Sequence, residues 1–260
     1  MEAFYSLIRH RRILFATVRD GLRSRTSGNV LGVAWLLFYP LLFLAMYAVV
    51  FVQILQVRIP GLGTLDYILV VFSGLVPFLA FSEGFGVGTS SIVSNRELLM
   101  NTLFPIELVV VRDVLIGHAN MGMGMLILWG AVLYLHGFEW THLMVPLVYG
   151  LQVLMVIGLV SITASLAVFF RDLLQAIPIL ILFMMMVSPI AYTADMVPDG
   201  MNGLLFVNPL AWLMALYRDC LIEGVVDLKV LGVVSGFSLA IFVIGSLFIR
   251  RLKPVFADYV

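Results

Sequence analysis

Residues 143–170 read LMVPLVYGLQVLMVIGLVSITASLAVFF, a run of 28 residues without one charged side chain. A helix rises about 1.5 Å per residue and the hydrocarbon core of a bilayer is about 30 Å thick, so about 20 apolar residues can cross it. A single soluble core of ordinary size has no room to bury many segments of this kind. This stretch therefore predicts a transmembrane helix.

The composition of the whole chain agrees with that prediction. The 260 residues are 62% hydrophobic and 12% charged, with a mean hydropathy of +1.11. An ordinary soluble domain is about 45–50% apolar and about 25% charged. The composition excludes a soluble enzyme, a disordered chain and a disulfide scaffold. The net charge of zero points away from nucleic acid as a partner.

Six stretches have the length and apolar character of spanning helices. They are residues 30–57, 67–87, 106–135, 143–170, 173–192 and 230–249. With the N-terminus in the cytoplasm, twelve of the fifteen Lys and Arg residues face the cytoplasm, and only Arg58, Arg218 and Lys229 lie outside. This asymmetry follows the positive-inside rule. We expect an all-α integral membrane protein, one domain over residues 1–260, with both termini in the cytoplasm.

Residues 1–29 predict a basic amphipathic helix at the membrane interface. Apolar residues recur at helical spacing from Phe4 to Leu22, and most of the arginines lie elsewhere on the wheel. The alternative is a polar leader that only fixes the orientation of the chain.

The sequence carries no motif for catalysis or metal binding. Its two lysines, Lys229 and Lys253, do not follow a glycine, so a Walker A loop is impossible on this chain. There is no H-E-x-x-H motif and no cysteine cluster. We expect no catalytic residue, metal or cofactor here; if ATP drives the protein, another polypeptide binds it.

A cytoplasmic loop over residues 90–105 joins the second and third spans. Ser94 or Asn95 can cap a short helix there, and Pro105 ends the run. The apolar side chains that follow the cap suit insertion into a groove on a partner protein. The alternative is a helix that lies flat on lipid headgroups.

The long external segment, residues 193–229, contains an apolar stretch broken by proline and glycine. Two short helices that re-enter the membrane would fit, provided that they are buried against protein. Ordinary surface helices are the alternative. We expect Arg218, Asp219 and Glu223 at the water-exposed edge of this segment.

The first span carries an aromatic residue at every fourth position. These are Trp35, Tyr39, Phe43, Tyr47 and Phe51, with Phe38 beside them. Side chains four apart lie one above another on a helix. Such a stripe suits a path for sugars, whose ring faces stack on aromatic planes. Ordinary packing or interfacial anchoring is the alternative.

Arg112 and Asp113 lie about two turns into the third span, where an ionised side chain is costly. Because adjacent residues do not face each other on a helix, we expect no ion pair between them. Either the helix extends into the cytoplasm here, or these residues meet partners elsewhere.

Five motifs in chain order carry a family resemblance. They are LGVAWLLFYP at 31–40, the loop 95–105 ending in Phe-Pro, FRDL at 170–173, SPIAY at 188–192, and NPL at 208–210 followed by YRD at 217–219. Together they resemble the permease subunit of type-two ATP-binding-cassette exporters, in particular polysaccharide exporters. The end of the first span, from Phe51 and Gln53 to Gly61, is most similar to Wzm-like O-antigen permeases, with capsule exporters next.

The resemblance implies a homodimer in the bacterial inner membrane that works with two cytoplasmic P-loop ATPase subunits, which bind ATP and Mg²⁺. The substrate would be a lipid-linked polysaccharide, and membrane lipids would surround the dimer. The implied canal residues are Trp35, Phe38, Tyr39, Phe43, Tyr47 and Tyr192. The implied ATPase-coupling residues are Ser94, Asn95, Arg96, Glu97, Leu98, Leu99, Met100 and Asn101. A cytoplasmic turn contains Arg171 and Asp172. The implied external gate comprises Pro189, Asn208, Pro209, Arg218 and Asp219.

Other functions stay open at this point. An exporter of this family could carry teichoic acid, a glycolipid or a drug instead. A carrier or channel without an ATPase would need an intramembrane acid, for which Asp113 is the best candidate. An intramembrane enzyme is the remaining class.

Overall fold

The computed structural model describes residues 9–26, 31–54, 56, 63–97, 105–190, 192 and 202–259. Within these ranges, every regular element is helical. In chain order, the α-helices are α1 (Arg11–Thr26), α2 (Trp35–Ala48), α3 (Thr64–Ser94), α4 (Ile106–His136), α5 (Val145–Phe169), α6 (Leu173–Val187), α7 (Asn202–Val207), α8 (Pro209–Arg218) and α9 (Leu228–Tyr259). A π-helical segment, Val49–Ile54, continues α2, and a 3₁₀ segment, Trp140–Met144, precedes α5.

Five helical segments are long and apolar enough to cross a membrane. They are Leu37–Ile54, Thr64–Ser94, Ile106–His136, Trp140–Phe169 and Leu228–Phe256. The all-helical prediction is confirmed, and these segments coincide with five of the six predicted spans.

The predicted fifth span, residues 173–192, is shorter than expected. Helix α6 has 15 residues, a length of about 22 Å. It ends at Val187 because Ser188 has extended backbone, the conformation favoured before a proline, and Pro189 follows.

Helix α3 lies at the centre of the bundle and buries most of its side chains, including Leu75, Phe78 and Ile92. It packs along α4 and α5, and α9 packs along the far side of α5. Close approach depends on glycines. A Cβ atom on Gly117 of α4 would lie 2.7 Å from the Gly84 nitrogen of α3. Small residues of this kind let membrane helices approach backbone to backbone.

Helices α2 and α6 are the least enclosed of the apolar helices. On α6 only Ile177 is buried, and Ile179 and Met186 are each 70% exposed. On α2 the exposed side chains include Leu42 and Met46. These two helices therefore present apolar surface to lipid or to another protein chain.

Helices α3 and α4 are longer than a bilayer is thick. Each has 31 residues, about 46 Å against a hydrocarbon layer of about 30 Å. At one end, which we call the Asp66 end, His136 contacts Asp66 at 3.1 Å. Arg112 lies 24 residues from His136 on α4, about 36 Å along the axis. The apolar layer fits between these residues, so the first turns of α4 and the last turns of α3 extend beyond it at the opposite end, the Asn95 end.

Helix α1 covers the middle of the predicted interface segment; residues 1–8 and 27–30 lie outside the described ranges. Its Leu14 is buried and Gly21 lies against Ile116 of α4. Phe15 is 72% exposed. That α1 lies along a membrane surface stays a prediction.

Candidate functional site

The aromatic side chains of α2 form a continuous ladder. The ring centroids are 5.9 Å apart from Tyr39 to Phe43, 5.9 Å from Phe43 to Tyr47, and 5.4 Å from Tyr47 to Phe51. The last two pairs are stacked, with interplanar angles of 23° and 18°. The four-residue spacing places these rings along one face of the helix. Tyr39 is exposed, and the other three rings are half-buried.

Tyr47 of the ladder contacts α6. The Tyr47 hydroxyl donates to the Met185 sulfur at 3.5 Å. Trp35 and Phe38 lie near the start of α2 and are exposed. Helices α2 and α6 are therefore in contact, and both present exposed apolar surface.

Tyr192, the remaining predicted canal residue, makes its hydrogen bonds to residues outside the ladder. Its hydroxyl donates to the Val187 carbonyl at 2.6 Å, which folds the chain back over the end of α6. Its own carbonyl accepts a hydrogen bond from Arg218 at 3.3 Å. Tyr192 thus belongs to a separate polar group, which we call the turn cluster: Ser188, Pro189, Ile190, Tyr192, Asn208 and Arg218.

Arg218 holds the turn cluster together. One guanidinium nitrogen donates to the carbonyls of Pro189 and Ile190, the latter at 3.0 Å, and the other donates to Tyr192. The Asn208 amide donates to the Ser188 hydroxyl at 3.0 Å, while its oxygen caps α8 by accepting from Leu210 N. The cluster fixes the turn after α6 to both ends of α8.

The expectation that Arg218 lies at a water-exposed edge is wrong. The residue is only 7% exposed, because α8 runs back along α3 and brings the guanidinium beside Gly74. A proline-containing turn cannot satisfy its carbonyls within a helix, and the arginine supplies the missing donors.

Asp219, the next residue, has a different environment: its carboxylate accepts a hydrogen bond from Asp227 N at 3.1 Å. Burial raises the pKa of Asp219, although that hydrogen bond acts in the opposite direction.

A second polar link joins α8 to the core, and sequence reasoning missed it. The Tyr217 hydroxyl donates to Gln152 of α5 at 2.9 Å, and the Gln152 amide donates to the Pro77 carbonyl of α3 at 2.8 Å. All three residues are buried. The sequence could have indicated this link, because Gln152 is an amide in an apolar span and a buried amide needs hydrogen-bond partners.

At the Asn95 end, three side chains form a closed group, the Asn95 cluster: Asn95, Arg112 and Asp113. Arg112 donates to Asp113 at 2.8 Å and to the Asn95 side-chain oxygen at 2.9 Å. The Asn95 amide contacts Asp113 at 3.4 Å and donates to the Ser91 carbonyl at 2.7 Å.

The expectation that Arg112 and Asp113 would not pair is therefore wrong. Their closest atoms are 2.7 Å apart. Neighbours on a helix diverge at Cβ, but a long arginine side chain can fold back towards Asp113, and Asn95 from α3 supplies a further acceptor.

Two ion pairs connect other helices to α3 and α4. Arg25 near the end of α1 pairs with Glu83 of α3. Lys253 of α9 contacts Glu107 of α4 at 3.1 Å. Helix α9 is thus joined to α4 at the first turn of α4, and α1 is joined to α3 beside Gly117, about three turns further along α4.

Comparison with known proteins gives the family. The sequence profile of ABC-2 type transporters matches residues 13–222. The chain belongs to this family. An O-antigen export system permease protein, RfbA of Klebsiella pneumoniae, is 27% identical over 256 residues, which is 95% of this chain and 94% of the relative. RfbA of Myxococcus xanthus is 27% identical over 84% of this chain and 83% of its own length. The polysialic acid transport protein KpsM of Escherichia coli is 27% identical over 88% of this chain and 86% of its own length.

Membership confirms the resemblance, and this ABC-2 protein is a multi-pass membrane protein. The predicted coupling loop is described only in part. Helix α3 ends at Ser94, Asn95 follows it, and Arg96 and Glu97 begin a new helical turn. Leu98, Leu99, Met100 and Asn101 lie outside the described residues. Their predicted role stays a prediction.

The remaining predicted functional residues lie at an exposed turn or beside an apolar cleft. Arg171 and Asp172 form the exposed turn between α5 and α6. Pro209 begins α8 and lines an apolar cleft with Phe81 and Met184. Within the described ranges, no three His, Cys, Asp or Glu side chains are arranged to hold a metal ion.

Proposed function

We propose that two copies of this chain form the canal for ATP-driven export of a lipid-linked polysaccharide across the bacterial inner membrane. O-antigen is the first candidate and capsular polysaccharide the second. The observation that carries this proposal is the similarity, along nearly the whole chain, to permeases named for O-antigen export and polysialic acid transport. ATP and Mg²⁺ would bind to two P-loop ATPase subunits.

In this arrangement the Asn95 end and both termini lie in the cytoplasm, as the distribution of Lys and Arg favours. Residues 1–260 form one membrane domain with six spans, in which α6 and the turn after it make the fifth. Helices α7 and α8 would be the external re-entrant pair. The contacts of α8 support this, because Pro209 lines a cleft with Phe81 and Arg218 lies beside Gly74, both well inside α3.

The canal would form where α2 and α6 of the two copies face each other. ATP binding closes the ATPase subunits, the coupling loops move, and the spans separate at the seam. The polymer then slides over the aromatic ladder, because stacking on rings tolerates any sugar sequence. The turn cluster would hold the external end closed when no polymer is present.

The ladder gives the first prediction. Changing Tyr39→Ala together with Tyr47→Ala removes two stacking surfaces of about 1 kcal/mol each, so export should fall about thirtyfold. Surface polysaccharide in complemented cells measures export, and immunoblotting of membranes measures the amount of permease. The matched control is Tyr134→Ala, which removes a tyrosine that is 89% exposed and outside the ladder. If the double variant is present at normal abundance and exports normally, the ladder on α2 is not the path of the sugar polymer.

The function as a whole is tested by purifying the tagged chain from native membranes in mild detergent. A P-loop ATPase should accompany it in equal amount, and the lipid-linked polymer should accumulate inside cells that lack the chain. Leu98→Asp should release the ATPase, because a carboxylate is costly in an apolar groove. If no ATPase accompanies the wild-type chain, a carrier or channel is favoured instead. If another compound accumulates, the substrate assignment changes to that class.

A further inference from the structure

The coupling loop leaves α3 directly at the Asn95 cluster. Asn95 is the residue after the last turn of α3, and Arg96 and Glu97 already belong to the next turn. Any displacement of the loop therefore acts on α3 through Asn95 and on α4 through Pro105. The hydrogen-bond partners of the Asn95 side chain therefore determine which helices move with the loop.

The Asn95 side chain forms hydrogen bonds both to its own helix and to α4. Its amide donates to Ser91 of α3, and its oxygen accepts from Arg112 of α4. Arg112 is locked in turn by Asp113, and the two side chains are only 16% and 9% exposed. Because both charges are largely buried and satisfy each other, neither can leave without exposing the other to an apolar surrounding.

Helices α9 and α1 also contact α3 and α4, at the first turn of α4 and about three turns further along it. Lys253 joins the end of α9 to Glu107 on the first turn of α4. Arg25 joins α1 to Glu83 of α3, and Gly21 of α1 lies against Ile116 of α4. In contrast, α6 packs against α3 and α5 mainly through apolar side chains and exposes most of its surface.

We propose that the Asn95 cluster is the joint through which the coupling loop moves α1, α3, α4, α5 and α9 as one unit relative to α6. Asn95 and Arg112 are then positioning residues for transport, and Asp113 serves the joint rather than binding a proton or substrate. This inference rests on the proposed function, since it needs an ATPase at the loop.

The critical variant is Asn95→Leu. It keeps the size of the side chain and leaves the Arg112–Asp113 pair intact, so the bundle should fold. It removes the bond from α3 to α4. The complex with the ATPase should assemble and hydrolyse MgATP, whereas polysaccharide exported per ATP hydrolysed should fall about tenfold, the size of coupling carried by single residues. Arg112→Lys, which loses the guanidinium fork, should lower the same ratio.

Ser73→Ala is the matched control, because it removes a hydroxyl whose bond to Val70 stays within α3, outside the coupling loop. Its export ratio should equal that of the wild-type chain. Hydrolysis is measured on the purified complex and export on complemented cells, with both normalised to permease content. If the Asn95→Leu complex exports at the wild-type ratio, the proposal of a joint is wrong. The proposal is also wrong if the loss of export is explained entirely by lower permease content. If the wild-type chain brings down no ATPase, the proposed function itself fails, and the two failures are thereby distinguished.

Discussion

Replacing Gly158 with leucine should disrupt the packing of α5 against α9 and lower the stability of the whole permease. A Cβ atom at Gly158 would lie 2.5 Å from the Ile241 carbonyl carbon of α9. From the other helix, Gly245 faces the Gly158 backbone equally closely. The clashing atoms are backbone, so no side chain can rotate away. We expect a loss of about 3 kcal/mol, the upper end for overpacked cores, and a fall of about 10 °C in melting temperature.

Gly150 provides the matched control on the same helix. A Cβ atom there would meet nothing within 4 Å, so Gly150→Leu should leave the melting temperature nearly unchanged. Thermal unfolding in detergent, followed by tryptophan fluorescence, measures both variants. Equal melting temperatures for the two variants would show that α5 and α9 do not pack through Gly158.

The sequence was sufficient to predict the helices because a spanning segment must be long and apolar. The predicted third span, 106–135, differs from α4 by a single residue. The ends of α3 and α9 were predicted less well. Helix α3 continues seven residues past the predicted end at Val87, and α9 ten residues past Ile249. Those extra turns carry polar or charged residues and protrude from the apolar layer, so hydropathy cannot detect them.

The polar clusters were harder to predict because they depend on which helices meet. Asn95 and Arg112 are 17 residues apart in sequence, and their contact needs the actual fold at the ends of α3 and α4. For Arg218, sequence reasoning placed charge in water, whereas α8 carries this side chain to carbonyls that Pro189 leaves without partners in a helix. A lone arginine at the end of an apolar segment, following a proline-containing turn, was the only signal. The motif residues drew attention to the right segments but did not give their contacts.

Substituting Arg218→Met should release the turn after α6 and abolish most of the export. Methionine matches the apolar stem but leaves the carbonyls of Pro189, Ile190 and Tyr192 without their shared donor. Unsatisfied buried polar groups cost about 1–3 kcal/mol each, so we expect at least about 3 kcal/mol of destabilisation. Arg218→Lys keeps a charge but cannot reach three carbonyls with a planar fork, and its effect should be intermediate. Arg251→Met, at an exposed position, is the control and should behave as wild type.

Two measurements separate loss of stability from loss of the turn itself. Thermal unfolding gives the order wild type, Arg218→Lys, Arg218→Met in falling melting temperature. Hydrogen exchange should show faster exchange at residues 188–192 in Arg218→Met, while the centre of α3 remains protected. Gly74→Ala disturbs the same turn by a different means, because its new Cβ atom would lie 3.2 Å from Ile190 Cα and press against the backbone. That variant should speed exchange at the same four amides, because Pro189 has no N–H, without removing any donor. If neither substitution alters exchange at 188–192, the turn is held by apolar packing rather than by Arg218.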